Sequence, residues 1–424
     1  MGIFLQRDLA PAKANKVDIQ VRHFREFITV AARYLKNSRL PGFLRKAFKV
    51  NKELRELTGL FLKLGSTAFG GPAAHVSLFE NEVVIRRHWM THEHFLDLIG
   101  STNLIPGPNS TEMAMHIGRE RAGWRGMITA GCCFILPAVI LSTILAWLYR
   151  KYGSLPETEP YIYGIKSAVI AVVLRTVFPL ARKAVKSTAL GVLGIAALAA
   201  CLEGINDITV MLGAGFLALL FSIGRDRTAG KTSRNGFLLA AIPFPSLALA
   251  ALSTSAVFLI FLKIGFTWFG SGYVLFGLLD NELVTRGLLN RQQLLDAIAV
   301  GQITPGPLFS SVTFAGWQIK GFTGAVAATA GIFLPALLFV GFLNPLIPRM
   351  RTSRSFSIFL DAVNLASVAV IIAVLIAMGW ETLTNWRSIV LALASIAVIF
   401  SFKKINVIFI LSGSAAIGYL LTLI

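Results

Sequence analysis

Residues 61–70 read FLKLGSTAFG and residues 261–270 read FLKIGFTWFG, identical at seven of ten positions. The correspondence continues in order along the chain. Asn81-Glu82, Val84 and Arg86 return as Asn281-Glu282, Val284 and Arg286. Leu96-Asp97 returns as Leu295-Asp296, and Pro106-Gly107-Pro108 as Pro305-Gly306-Pro307. Gly123, Gly126 and Leu136-Pro137 return as Gly321, Gly324 and Leu334-Pro335. Chance does not preserve that order and spacing, so the chain holds two copies of one unit.

The units are not built for water. Hydrophobic residues make up 55% of the 424 positions and charged residues 14%, with a mean hydropathy of +0.69. A soluble chain is roughly a quarter charged. A soluble enzyme, a disordered chain and a disulfide-stapled secreted fold are excluded, and an all-α integral membrane protein remains. A spanning helix takes ~20 apolar residues. The first copy supplies apolar elements near 58–80, 95–117, 127–148, 160–175, 187–203 and 206–224. The second supplies 256–280, 293–316, 325–347, 358–380, 388–402 and 405–424. One further apolar segment, 237–252, brings the expected total to about thirteen. The expected organisation is a basic cytosolic arm at 1–57, a first repeat at 58–224, a loop and linker helix at 225–255 and a second repeat at 256–424.

Charge gives the orientation. The net charge of +19 would suggest nucleic acid in a soluble protein, but in a membrane protein Lys and Arg collect in cytoplasmic loops. Basic loops at 175–186, 225–234, 349–354 and 403–404 are therefore placed inside, and the neutral or acidic loops 150–159, 203–207 and 381–387 outside. Element 127–148 follows Arg119, Arg121 and Arg125, whereas its counterpart 325–347 ends at an arginine cluster. The basic end has switched, so the two copies are expected to be inverted in the membrane. Six elements per copy would leave them parallel, and 237–252 supplies the inversion. No cleavable leader is read at the start, and no nucleic-acid role is assigned. In the arm, Val21, Phe24, Ile28, Ala31 and Leu35 share one helical face above a basic remainder, a pattern suited to an anionic lipid surface. Cys132, Cys133 and Cys201 lie in apolar runs and read as core thiols.

Inverted repeats with interrupted helices are the signature of secondary transporters. Each copy has two interruptions. The first is Phe69-Gly70-Gly71-Pro72 and its partner Phe269-Gly270-Ser271-Gly272; the second is the Pro-Gly-Pro pair. Proline has no amide proton and glycine opens unusual torsions, so a regular helix stops there. The helix that restarts presents free amides and a positive dipole end, a ready anion site. Asn109, Ser110 and Thr111 follow one Pro-Gly-Pro, and Ser310 and Ser311 the other; they can donate to an oxyanion without fixed charge. Lys63 and Lys263, equivalent residues in apolar runs, could draw in an anion or snorkel to the interface. Glu82 with Arg86, and Glu282 with Arg286, read as gating or proton-coupling pairs or as simple helix support. Asp97 and Asp296 read as cap or relay. His75 has no partner in the second copy, where Leu275 stands; it is read as an anion contact or a core histidine. His88, His92 and His94 also lack counterparts, and no metal or cofactor site is assigned.

The ordered set FLKLGSTAFGGPAAH, NEVVIRRHW, LIPGPNS and FILPA resembles the chromate ion transporter family in its long, two-domain bacterial form, over most of residues 58–424. The resemblance implies a transporter in the bacterial inner membrane that exports chromate from the cytoplasm and confers chromate resistance, with sulfate as a close analogue and competitor. Motif positions carry over to Gly70, Gly71, Pro72, His75, Glu82, Trp89, Pro106, Gly107, Pro108, Gly123 and Pro137. The second copy departs from Gly-Gly-Pro, so the halves are expected to be inequivalent. A transporter of sulfate or another small oxyanion, and more remotely an integral-membrane enzyme using His75, Glu82 and the histidine cluster, are the competing readings. The lipid bilayer is the expected environment, and a homodimer is compatible with the sequence.

Overall fold

The computed structural model describes residues 42–422 apart from 70, 154–158, 229–252, 271, 343–349, 351–352, 403–404 and 406. The basic arm up to residue 41, the segment 237–252 and Gly70 of the first interruption lie outside the described residues. The chain divides into two compact units, Met1–Glu53 and Leu54–Ile424, and the second holds both repeats.

Every regular element among the described residues is helical. The first repeat contains α1 (Gly42–Thr67), α2 (Pro72–Glu80), α3 (His92–Thr102), α4 (Asn109–Tyr152), α5 (Glu159–Ala184), α6 (Thr188–Leu202) and α7 (Asp207–Thr228). The second contains α8 (Thr254–Thr267), α9 (Val274–Leu279), α10 (Arg291–Ile303), α11 (Ser311–Phe342), α12 (Arg354–Thr382), α13 (Trp386–Ser401) and α14 (Val407–Thr422). Both repeats end their second helix in a π-turn, Asn81–Arg86 and Asp280–Val284. Starts are marked by local chemistry. The Thr91 and Ser187 side chains accept from the amides of His94 and Leu190, and Asn290 with Gln293 closes a full capping box on α10.

The breaks expected within 58–80 and 95–117 fall at 68–71 and 103–108, where Gly71 (φ 80°) and Gly107 (φ 144°) turn the chain out of helical torsions. One expected boundary is corrected: the basic segment 175–186 is not a loop, because α5 runs through it to Ala184, which places Arg175 within the helix. The expected separation of 95–117 from 127–148 lies inside α4, whose two helical arms part at a hinge, Ala122 (φ −143°, ψ 27°) and Gly123 (φ 61°, ψ −148°). The second repeat reproduces that hinge at Lys320 and Gly321 with nearly identical torsions. Across it the helix folds back so tightly that a Cβ on Gly118 or Gly126 would strike the other's backbone carbonyl, and the pair Gly316 and Gly324 behaves the same way.

The long helices carry the signature of a lipid-facing surface. On α4, Ile128, Cys132, Leu136, Ile140, Ile144 and Leu148 are all exposed at a spacing of four residues. At 1.5 Å per residue that stripe is ~30 Å long, the thickness of a bilayer's hydrocarbon core. Phe322, Val326, Ala330, Leu334 and Phe342 form the matching stripe on α11. Cys132 is therefore on the lipid face and not a core thiol.

The relation between the repeats follows from how α4 and α11 pack. Trp124, at the hinge of α4, packs against Phe342 at the far end of α11 with ring centroids 5.2 Å apart and the rings tilted by 57°. Arg119 donates to the carbonyls of Val340 and Gly341. At the opposite end, Tyr149 lies 5.2 Å from Phe314, near the start of α11. Equivalent helices thus run antiparallel. A two-fold axis along the membrane normal would leave them parallel, so the axis lies in the membrane plane and the copies are inverted. The remaining helices interlock across the repeats: α5 packs on α13 and α14, and α12 on α6 and α7.

Candidate functional site: cavities where the broken helices cross

Each Pro-Gly-Pro turn seats on the other repeat. Gly306 (φ 87°) donates its amide proton to the Ala68 carbonyl at 2.8 Å, at the first break of the first repeat. A Cβ on Gly306 would lie 3.2 Å from Ala138, and one on Gly107 would lie 3.5 Å from Ala336, the equivalent residue. Only glycine fits such positive-φ backbone at this approach.

Two cavities result, each using one break from each repeat. The first, of about 340 Å³, is lined by Phe69 and Gly71 from one copy and by Tyr273, Gln302, Thr304 and Gly306 from the other, with Arg175 and Thr176 of α5 closing it. The second, of about 370 Å³, joins Gly270 and Gly272 to Asn103 and Asn109, with Lys183, Lys186, Asp361 and Asn364 at its wall. There the Asn109 amide donates to Asn103 Oδ1 at 2.8 Å, and Lys186 pairs with Asp361 at 2.7 Å. Backbone at membrane depth that leaves helical geometry belongs against protein or a watery cavity, and both breaks obey that rule. The first cavity joins one guanidinium to hydroxyl and amide donors, a donor set suited to a small oxyanion.

The residues picked out in the sequence fall into distinct settings. Gly71, Gly306 and Asn109 line the cavities. Pro106, Gly107, Pro108, Pro305 and Pro307 are buried in the crossing turns, and Pro72 opens α2. Ser110, Thr111, Ser310 and Ser311 are buried below them. Ser310 shares a 2.8 Å hydrogen bond with Thr304, whereas the hydroxyls of Thr111 and Ser311 have no partner among the described residues. His75 is buried with its ring edge-on to Phe134 at 5.5 Å, and neither ring nitrogen is hydrogen-bonded there.

Lys63 and Lys263 are held by carboxylates. Lys63 lies 3.3 Å from Glu82, which also receives Arg86 (3.1 Å) and Arg87 (3.4 Å). Lys263 pairs with Glu282 at 2.6 Å and Arg286 with the same carboxylate at 2.8 Å. Burial pushes the Glu82 carboxyl up, but Lys63, Arg87 and Arg86 outweigh it and hold it below the ordinary range. Both clusters sit on the π-turns, a local distortion common at functional sites. Of the histidine group, His92 pairs with Glu80 and His94 with Glu120. Asp97 is exposed, but its counterpart Asp296 is buried against Lys166 (2.7 Å) and Tyr149 (2.5 Å).

Sequence reasoning missed Arg175, Tyr273, Gln302 and Thr304 as site residues, because they come together only when the breaks cross. It also passed over Lys166 and Glu112. The chromate transporter family model matches the chain twice, over residues 55–219 and 255–419, the two repeats. The chain belongs to the chromate transporter family. It is 30% identical to the chromate transport protein of Cupriavidus metallidurans over 376 residues, covering 86% of this chain and 92% of that one. It is 30% identical to a probable chromate transport protein of Synechococcus elongatus over 358 residues (82% and 90%), and 29% identical to the chromate transport protein of Pseudomonas aeruginosa over 382 residues (86% and 92%). No solved structure matches it. Family membership and the lipid-facing stripes together make this a multi-pass membrane protein.

Proposed function

We propose that the protein is a secondary transporter of the bacterial inner membrane that expels chromate from the cytoplasm and so confers chromate resistance. Family membership supports chromate as the substrate. The observation that carries the mechanism is the cavity at the crossed breaks, which sets Arg175 among Thr176, Tyr273, Gln302 and Thr304 between inverted repeats. The anion is bound there, its charge met by the guanidinium and its oxygens by the hydroxyl and amide donors. The start of α2 at Gly71-Pro72 adds a positive helix end. Export is electrically downhill: with the inside negative, moving a dianion out gains roughly 4.6 kcal/mol at 100 mV. Chromate and sulfate are both tetrahedral dianions, and this donor set reads shape and charge, so sulfate competes.

The test is chromate accumulation in inside-out membrane vesicles. Wild type accumulates chromate and excess sulfate suppresses it. Arg175→Gln removes a charged hydrogen-bonding partner and lowers uptake by about tenfold or more. Asn109→Ala, at the second cavity, combined with Ser110→Ala beside it, lowers it as well. Absence of chromate flux in correctly inserted wild-type protein sinks the substrate assignment, and indifference to sulfate sinks the site.

A further inference from the structure

Glu112 is a feature of the crossing breaks that an anion site does not explain. It lies in the first turn of α4, three residues beyond the Asn109 that lines the second cavity. Its side chain is completely buried, and neither carboxylate oxygen has a hydrogen-bond partner among the described residues. It lies so close to Gly107 of its own Pro-Gly-Pro turn that a Cβ there would strike its carboxyl, and the same Cβ would lie 3.5 Å from Ala336 of the second repeat. No described cation pairs with it. Arg119, on its own helix, is spent on the carbonyls of Val340 and Gly341. His116, one turn further along the same face, is also buried, with Nε2 unpartnered. Among the ionisable groups on elements packed against α4, Asp296 is held by Lys166, His92 by Glu80 and His94 by Glu120. His75 stands against Phe134, and Glu93, Asp97 and Lys320 are exposed. The second repeat has serines, Ser310 and Ser311, where the first has Glu112, so the acid belongs to one half only.

A charged carboxylate with no partner is not stable in such a place; it takes a proton or finds water. An ionised Glu112 would also repel a dianion passing through the second cavity, which Asn109 of the same helical turn lines. From the burial, the missing partners and the position on the crossing turn, we infer that Glu112 is a proton-binding site whose proton travels with the anion. While the breaks are crossed and an anion is bound, the carboxyl is neutral. When the Pro-Gly-Pro turn lifts from Ala336, water reaches Glu112, its O–H bond breaks, the proton passes to water and the anion leaves beside it. This rests on the transport reading above.

The experiment uses the full-length protein in liposomes loaded with a pH-sensitive dye. Chromate counterflow, chromate-driven proton movement and the infrared band of a protonated carboxyl are read in parallel. Wild type is expected to move protons with chromate and to show the band at neutral pH. Glu112→Gln is expected to lose the band and to lower proton movement relative to counterflow by about tenfold or more. Glu112→Asp, which keeps the acid, is expected to retain proton movement. Chromate transport by wild type without protons overturns the inference, as does undiminished proton movement in Glu112→Gln. If Glu112→Gln does not fold, the wild-type proton signal and its shifted pH dependence in Glu112→Asp decide the matter. Absence of wild-type counterflow strikes the transport reading instead, and the infrared band still reports whether Glu112 holds a proton.

Discussion

Glu82 and Glu282 occupy the same place in the repeat and gather the same kinds of cation, yet they differ in how far water can rescue them. Lys63 and Arg86 expose about three-fifths of their side chains, 59% and 60%, whereas Lys263 and Arg286 expose 23% and 31%. Removing the carboxylate strands cations that rehydrate easily in the first case and poorly in the second. Glu82→Gln is expected to cost about 1 kcal/mol and Glu282→Gln about 3 kcal/mol, read as thermal unfolding of the purified protein. The Glu82 carboxyl, held low by its cations, also sets a pH dependence. Its folded value lies below its unfolded one, so the cluster's stabilisation is present above the ordinary carboxylate range and is lost as pH falls through the folded value. Wild type should lose more melting temperature than Glu82→Gln on acidification below about pH 4.

At the level of elements, the hinges in α4 and α11 are the most demanding pieces of backbone. Gly123 and Gly321 sit at φ 61° and ψ −148°, a region that essentially only glycine occupies. Alanine at either is expected to destabilise by about 1–3 kcal/mol even though Gly123 has open space around it. Gly59 in α1 is the contrast: it is helical, exposed and has nothing near its missing Cβ. Gly59→Ala is expected to stabilise by up to about 1 kcal/mol. Melting of the three variants side by side separates torsion from crowding. The hinge glycines were legible as positions shared by the two repeats, but their role was not. The polar stretch around Arg119, Arg121 and Arg125 marked a gap between two apolar elements, but the torsions at Ala122-Gly123 and the close approach of Gly118 to Gly126 are what show the chain folding back there.

For the whole molecule, inversion is the property with the widest consequence. Ile85 and Thr285 are equivalent, and both are exposed on their π-turns or just beyond. Cysteines placed there, in a background without Cys132, Cys133 and Cys201, should be labelled from opposite sides of the membrane by an impermeant thiol reagent. Labelling of both from the same side would contradict the antiparallel packing of α4 and α11. The inversion was legible in the sequence as a switched basic end, and the packing of Trp124 against Phe342 agrees with it. The candidate site was half legible. Gly71, Gly306 and Asn109 stand out because glycine, proline and the residues after them mark breaks wherever they occur. Arg175 carried no such mark, since an arginine near other basic residues reads as a loop until the helix around it is seen.

By itself, then, the amino-acid order determined that this chain is a membrane protein of two inverted, twice-broken repeats in the chromate transporter family. Hydropathy, charge bias and Gly/Pro breaks act locally, so they survive in one dimension. Which break meets which was decided only by the tertiary structure. The pairing of Gly306 with Ala68, of Asp296 with Lys166, and the solitude of Glu112 depend on how two inverted copies interlock. Contacts between residues so far apart in the chain come from packing, and packing leaves no periodic trace along the chain.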